Sequence, residues 1–362
     1  MSLPTATARR AGAGDRSSRG RQAVLVAATL AVAAGLVSVA AGAAGLSLGE
    51  VVHILWAGAT GQRHTLPVGA ATIILDIRLP RVLLALLVGA SLALSGAAMQ
   101  GLFRNPLADP GIVGVSSGAA LAAVIVIVLG PTLMPFMPAA ISRHLLPLAA
   151  FFGGLGTTAL LYRLATREGQ TSIATMLLVG IALAALGGAI TGILIFISDD
   201  QQLRELTFWT MGGFGGATWL KLAAALPLIV PAFIAAPFMA RGLNALALGE
   251  AEAFHLGIEV ERLKGLAILV IAAAVGAAVA VSGIIGFVGL VAPHLLRVAI
   301  GPDHRTLLPA AAFLGAALLA IADLIARTSV APAEMPIGIL TALIGAPFFL
   351  WLLLRRRGAL VL

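Results

Sequence analysis

One pattern of small residues in the sequence is typical of a hydrolase nucleophile. Gly114-Val-Ser116-Ser-Gly118 matches G-x-S-x-G, a motif that needs a preceding strand, with a histidine and an acid as partners of the serine. Here the motif follows a proline-rich break and opens a long apolar run, so no strand is predicted before it. The six histidines lie at positions 53, 64, 144, 255, 294 and 304, nearly all in expected loops or near the ends of apolar runs. The sequence therefore does not favour serine catalysis.

The sequence also lacks the residues that cleave a nucleotide or hold a metal. Its only lysines are Lys221 and Lys264, and neither ends the G-x-x-x-x-G-K-[ST] pattern of a phosphate-binding loop. There is no H-E-x-x-H motif and no His/Asp/Glu cluster with metal-ligand spacing, and the absence of cysteine excludes thiolate chemistry. We therefore predict that the chain is not an enzyme and binds no cofactor or metal. Any ATP and Mg would be bound by a partner.

The composition indicates a protein that crosses a membrane many times. Of the residues, 60% are hydrophobic and 10% charged, and the mean hydropathy is +1.06. So few charges could not cover the surface of a soluble protein of 362 residues. The net charge of +8 is concentrated at the ends of apolar runs, where it favours contact with anionic lipid. No segment is long enough to build a basic face for nucleic acid.

Ten apolar runs are long enough to be membrane spans. The first, Ala23–Leu46, has about twice the length of a signal-peptide core, so we interpret it as an uncleaved span rather than a signal peptide. The other predicted spans are 79–101, 111–130, 145–165, 173–198, 219–240, 263–281, 283–300, 306–325 and 337–354. Pro293 and the glycines at 283, 286 and 289 predict that the span at 283–300 is short or bent. The expected fold class is an all-α polytopic membrane protein with about ten transmembrane helices.

The distribution of basic residues predicts the orientation of these spans. With a cytoplasmic N-terminus, 16 of the 23 Lys and Arg residues fall on the cytoplasmic side, as the positive-inside rule requires. An even number of spans then places both termini in the cytoplasm. The predicted organisation is a disordered basic tail at 1–22, a ten-helix domain at 23–354 and a basic C-terminal end at 355–362.

The largest predicted cytoplasmic segment, residues 241–264, has the composition of a docking surface. It combines Leu243, Leu246 and Leu248 with four glutamates, and Gly249 and Gly257 bracket a turn or two of helix. One interpretation is a helix lying on the membrane surface. Four acids facing an anionic leaflet argue against it, so we favour docking onto a soluble cytoplasmic subunit.

Three arginines are expected near the outer mouths of two spans. Arg78 and Arg81 flank Pro80, which suits the first turn of a helix, and Arg327 lies near the end of the ninth span, where Asp323 can pair with it on the same helix face. They could bind the carboxylates of a partner, or they could be snorkelling anchors. The residues alone favour neither of these two interpretations over the other.

The chain after about residue 45 resembles the FecCD/cobalamin-type permeases of type II ABC importers. The motifs that carry the resemblance are IRLPR (77–81), SGAAMQGLFRNPLADPGIVGVSSG (95–118), TMGGFGGATW (210–219), NALALGEAEAFHLG (244–257), GFVGLVAPHLLR (286–297), DHRTLLP (303–309) and ADLIARTSVAPAEMPIGILTALIGAPFFLWLL (322–353). The resemblance implies a homodimer in the bacterial inner membrane. Its partners would be two cytoplasmic ABC ATPases, which carry ATP and Mg, and a periplasmic binding protein.

The resemblance also implies roles for individual residues, all numbered in this chain. Residues at the ATPase contact would be Leu243, Leu246, Leu248, Gly249, Glu250, Phe254 and Gly257. Arg78, Arg81 and Arg327 would receive glutamates of the binding protein. The cytoplasmic gate would be formed by Asn105, Leu107, Ser172, Ile173, Ala174 and Thr175. Ile173 and Ala174 stand where a cobalamin permease has hydroxyl residues, which argues against a polar gate at that point.

Family substrates are bulky metal chelates, and the chain looks most like the haem-importing branch. The stretches that carry this likeness are 171–183 and 198–219. We therefore expect an importer permease for haem, with a ferric siderophore or cobalamin as the alternative substrate. An ion-coupled transporter is a second class of function, but the spans carry hardly any charge in their middles, where an ion or proton relay would need it. An intramembrane enzyme is disfavoured because no catalytic constellation is present.

Overall fold

The computed structural model describes residues 15–42, 45–133, 138–142 and 144–357, and the predicted all-α fold is confirmed there. The helices are α1 (Asp15–Ala40), α2 (Leu48–Ala59), α3 (Val68–Ala71), α4 (Leu79–Leu102), α5 (Val115–Leu133), α6 (Ala139–Ser142), α7 (Leu145–Ala165), α8 (Ile173–Phe196), α9 (Asp200–Met211), α10 (Trp219–Leu246), α11 (Glu250–His255), α12 (Val260–Ser282), α13 (Val288–Ile300), α14 (His304–Thr328) and α15 (Ile337–Arg357). A small antiparallel hairpin, β1 (Thr166–Arg167) and β2 (Gln170–Thr171), joins α7 to α8.

Eight helices in the described ranges are long and apolar enough to cross a membrane. They match eight of the ten predicted spans. The other two correspond to α13 and to the apolar part of α15, which are shorter. Helix α13 has only 13 residues because the chain is not helical before Val288, where Phe287 has φ 67°. The prediction of a short span at 283–300 is therefore confirmed.

Helix α4 lies at the centre of the bundle and packs against α10, α12, α13 and α14. The predicted start of this span at residue 79 was too late. A four-residue helix and a π-helical turn, Thr72–Arg78, run directly into α4, and together they form one apolar helix of 35 residues. The π turn precedes Pro80, whose ring would otherwise clash with the carbonyl four residues earlier in the helix. Pro80 is therefore inside a continuous helix rather than in its first turn.

Glycines bring the helices next to α4 into backbone contact. A Cβ on Gly96 would lie 1.8 Å from the carbonyl oxygen of Gly289 in α13. A Cβ on Gly89 would lie 2.3 Å from the carbonyl oxygen of Gly315 in α14. Without side chains at these positions, the helix backbones approach closely and gain dispersion contacts, which drive helix association in lipid.

Two amphipathic helices lie between the predicted spans. Helices α2 and α9 each begin with a capping box, Ser47 with Glu50 and Asp199 with Gln202. In each box the cap side chain accepts a hydrogen bond from a backbone N–H of the first turn, and the later side chain accepts one from the cap residue. The Ser-x-x-Glu and Asp-x-x-Gln patterns were the sequence signals for these helices.

The N-terminal helix begins earlier than the apolar pattern predicted. Helix α1 starts at Asp15, so the described part of the predicted tail, residues 15–22, is helical rather than disordered. Arginine and glutamine are good helix formers, and they extend a helix that the apolar span has already nucleated. Residues 1–14, which form most of the predicted tail, and residues 358–362, which form most of the predicted C-terminal end, lie outside the described residues.

Candidate functional sites

The segment at 241–264, which we predicted to dock onto a cytoplasmic subunit, contains a short helix between two glycines. Helix α10 ends at Leu246, and Gly249, with φ 135°, allows the chain to turn into α11. Gly257, with φ 79°, then turns the chain into α12. Both φ values lie in a region that side-chain-bearing residues rarely adopt. We call α11 the coupling helix, after the contact with a cytoplasmic ATPase that we predict for it.

Two of the leucines that we expected at the docking surface lie elsewhere. Leu243 and Leu246 are in the last turn of α10 and are fully buried in the main core. This placement corrects the expectation that Leu243 and Leu246 contact the ATPase, because α10 continues further than its apolar run predicted and buries them. The exposed apolar side chains of the segment are Leu248, Phe254 and Leu256. They form an unpartnered apolar surface around the coupling helix.

The two predicted gate segments lie together. Asn105 and Ile173 line the same cavity of about 40 Å³, between the loop after α4 and the start of α8. The hydroxyl of Ser172 accepts hydrogen bonds from the backbone N–H and the hydroxyl of Thr175, at 3.3 and 3.0 Å, and so caps α8. The hydroxyl groups of Ser172 and Thr175 therefore both form hydrogen bonds at the N-terminus of α8. Leu107 is half-buried and Ala174 is exposed. Their role as a gate stays a prediction.

At the opposite end of α4, the three arginines predicted to dock a partner form one cluster, which we call the arginine cluster. Arg81 donates two hydrogen bonds to Asp323 Oδ1, from Nε at 3.0 Å and from Nη2 at 2.8 Å. Its Nη1 is 2.7 Å from Glu334 Oε1. Asp323 is completely buried. Because an unpaired carboxylate is costly to bury, Arg81 is what allows Asp323 to be there.

Arg78 and Arg327 satisfy the carbonyl groups that end α1. Arg78 Nη1 donates to Val39 O and Ala40 O, both at 3.0 Å. Arg327 Nη1 donates to Ala41 O at 2.9 Å, and its Nη2 donates to Ser38 O. The last carbonyls of a helix have no partner within it, so cationic side chains there stabilise its end. Arg327 also lies 3.7 Å from Asp323, as its spacing predicted.

These contacts bear on the two interpretations of the arginine cluster, as snorkelling anchors and as docking residues. The guanidinium groups are not free to snorkel, since they are bound inside the protein. Docking stays a prediction, and Arg78 is the residue that tests it most cleanly. In the described part of the chain it pairs with carbonyls rather than with a carboxylate, so its removal strands no buried charge.

We expect Arg78→Gln to weaken docking of the binding protein at least about tenfold, because an ion pair desolvated in an interface contributes about 2–5 kcal/mol on truncation. Binding of the detergent-solubilised permease to its binding protein measures this effect. Thermal unfolding of the same samples controls for loss of the α1 contacts. An unchanged affinity would leave Arg78 with a structural role only.

A large cavity beside the arginine cluster was not predicted. Its volume is about 740 Å³. Its lining combines Arg81, Glu334 and Lys221 with aromatic side chains such as Trp209 and with the glycine-rich loop after α9. The loop was visible in the sequence as TMGGFGGATW (210–219), but nothing local showed that the ends of α7 and α12 and the loop before α15 would surround it.

At the other end of the bundle, Asp303 joins α10 to α14. Its Oδ1 accepts hydrogen bonds from Asn244 Nδ2 at 2.6 Å and from Arg305 N–H at 3.0 Å. Partial burial raises the pKa of Asp303, but these two hydrogen bonds outweigh that effect and hold its pKa below the ordinary value. The carboxylate form is therefore the one that links the two helices.

The hydrolase-like motif has a packing role in the structure. Ser117 Oγ donates to Gly114 O at 3.1 Å in the first turn of α5. Gly118 lies against α7, where an added Cβ would come within 2.4 Å of Gly153 O. In the described ranges, no group of three His, Asp or Glu side chains could hold a metal ion.

Comparison with known proteins identifies the architecture. The model of the FecCD transport family matches residues 29–355. The hemin transport system permease protein HmuU of Yersinia pestis is 54% identical over 283 residues, covering 78% of this chain and 83% of that protein. The cobalamin import system permease protein BtuC of Halobacterium salinarum is 46% identical over 290 residues, covering 80% of this chain and 75% of that protein.

A solved structure has the same fold. It is described as a metal-chelate type ABC transporter in an inward-facing conformation, and it aligns with a TM-score of 0.77 and 34% identity over 92% of this chain and 99% of that one. The long apolar helices and the permease relatives indicate a multi-pass protein of the inner membrane. The extent of the family match and the identity to its members confirm the resemblance predicted from the motifs, and the chain belongs to the FecCD transport family.

Proposed function

We propose that this chain is the permease subunit of an ATP-driven importer that carries haem from a periplasmic binding protein into the cytoplasm. Membership of the FecCD family and similarity to a metal-chelate type transporter support the import of a metal chelate. The observation that carries the choice of haem is the 54% identity to a hemin permease, against 46% to a cobalamin permease.

The transporter that we propose contains two copies of this chain, two ATPase subunits and a binding protein. The apolar surface of Leu248, Phe254 and Leu256 supports an ATPase contact, because a soluble partner would cover it. No phosphate-binding loop occurs in the sequence, so ATP and Mg would be bound by that partner. The arginine cluster at the other end of the bundle supports docking of an acidic binding protein.

Cobalamin is the second candidate substrate. It is supported by identities of 42–46% to several cobalamin or vitamin B12 import permeases, and these alignments cover 75–90% of each of those proteins. A ferric siderophore remains an alternative within the class of metal chelates. The helical architecture is common to these transporters, so substrate identity depends on side chains in the pathway rather than on the fold.

Transport in vesicles tests the proposed substrate. The permease, its ATPase and its binding protein are reconstituted, and uptake of haem, cobalamin and a panel of ferric siderophores is compared at equal concentration. We expect ATP-dependent haem uptake to exceed that of the other chelates at least about tenfold, a difference of about 1.4 kcal/mol in recognition. A vesicle that takes up cobalamin or a siderophore in preference to haem would overturn the assignment.

A further inference from the structure

Lys264 connects the coupling helix to the second gate segment through one buried ammonium group. It lies in the first turns of α12, and its side chain is 3% exposed. Its Nζ donates to Glu250 Oε2 and to Glu261 Oε1, both at 2.9 Å, and to Thr171 O at 3.3 Å. An ammonium group has three N–H donors, and here each has an acceptor.

The acceptors of Lys264 lie on elements with different predicted roles. Glu250 is the first residue of the coupling helix. Thr171 ends β2 and immediately precedes Ser172, the cap of α8 and the first residue of the second gate segment. Glu261 also accepts a hydrogen bond from Thr171 N–H at 3.1 Å. The carbonyl and the N–H of Thr171 are thus bound to Lys264 and Glu261, which both lie on α12.

This network is compact enough to transmit a displacement. If Glu250 moved away alone, one N–H donor of the buried ammonium group would lose its acceptor, which is costly, so movement of Glu250 favours movement of Lys264 with it. Lys264 and Glu261 in turn hold Thr171, which is covalently joined to the gate segment. The hairpin adds a further tie, since the hydroxyls of Thr166 and Thr171 are 3.0 Å apart. A continuous chain of polar contacts therefore runs from the coupling helix to α8.

We propose that Lys264 is a positioning residue that transmits movement of the coupling helix, driven by the ATPase, to the gate segment at Ser172–Thr175. The proposal rests on the proposed function for the identity of the partner. It adds the specific side chain through which ATP hydrolysis is coupled to opening. Without this link, the ATPase would continue to hydrolyse ATP while the gate no longer followed it.

The test uses Glu250→Gln and Lys264→Met in the complete transporter, with Glu259→Gln as the control. Glu250→Gln removes the charge that joins Lys264 to the coupling helix and leaves the contacts with Glu261 and Thr171 in place. Glu259 is exposed and pairs with Arg262 instead, so its variant removes the same charge from the same segment without touching the network. We expect both test variants to lower substrate uptake per ATP hydrolysed at least about tenfold, and the control to keep the wild-type ratio.

A spectroscopic readout separates coupling from stability. Spin labels on Thr175→Cys in the cysteine-free chain report the distance between the two gate segments of the dimer. We expect that distance to change when ATP binds to the wild type and the control, and to stay constant in Glu250→Gln. A nucleotide-dependent change equal to that of the wild type in both test variants would overturn the proposal. The distance does not depend on which chelate is carried, so a failure of the haem assignment remains distinguishable.

Discussion

Replacement of Gly96 by alanine should prevent the bundle from forming its native packing. The new Cβ would lie 1.8 Å from Gly289 O, whereas ordinary contact begins near 3.4 Å. Helices α4 and α13 would have to separate by about 1.6 Å, and the obstructing atom is backbone, which cannot move aside as a side chain can. Overpacking of this kind costs about 1–3 kcal/mol, and more where the neighbours are rigid. We expect a loss of at least about 3 kcal/mol, measured as a fall in thermal stability and in the yield of monodisperse protein in detergent.

A second glycine provides the matched control. Gly156 in α7 has no atom within 4 Å of an added Cβ, so Gly156→Ala removes a flexible residue from a helix without a clash. Such a change is expected to be neutral or to stabilise by about 0.4–1 kcal/mol. Substitution by alanine should therefore destabilise the protein at Gly96 but not at Gly156. Equal stability of the two variants would mean that close approach of α4 and α13 does not hold the bundle together.

Placement of a charge on the coupling helix should abolish transport. Phe254 is 71% exposed, and in the proposed transporter it inserts into the ATPase subunit. Aromatic anchors at the centre of an interface contribute about 2–4 kcal/mol, and aspartate in a desolvated pocket adds a further penalty. We expect Phe254→Asp to lower ATPase co-purification at least about thirtyfold, which corresponds to about 2 kcal/mol, and to eliminate substrate uptake.

Phe254→Leu is the control for this effect, because it keeps an apolar side chain at the same position. It should retain most of the ATPase binding, and both variants should unfold at the wild-type temperature since the residue is exposed in this chain. The assignment of α11 as the coupling helix would be wrong if Phe254→Asp retained its ATPase and its uptake.

Much of the fold followed from local pattern. Apolar runs of about twenty residues can satisfy their backbone hydrogen bonds in lipid only as helices, so eight long spans were predictable from composition. The break at Asn105–Gly111 and the turns at Gly249 and Gly257 were also local, because proline and glycine restrict or release the backbone. Helices α2 and α9 were missed because each has only 12 residues, too few for a membrane span, although their capping boxes were present in the sequence.

The functional regions were predictable to a smaller extent. The residues of the arginine cluster and of the gate segments were named from motifs, but of their partners only Asp323, for Arg327, was predicted. Arg81 and Asp323 are separated by 242 positions, and no local pattern links them. The burial of Leu243 and Leu246 was also wrongly predicted, because an apolar run does not show whether helix neighbours cover it.

The sequence by itself determined that this chain is a helical membrane protein, where its helices turn and which family it belongs to. These properties depend on hydrophobicity, on backbone restriction at proline and glycine, and on motifs that are read in chain order. Only the tertiary structure decided that Lys264 joins the coupling helix to Thr171, and that three arginines satisfy buried carbonyls and a carboxylate. Such contacts arise because burial removes water from a polar group, and the group then binds whichever partner the packing of distant helices brings within reach.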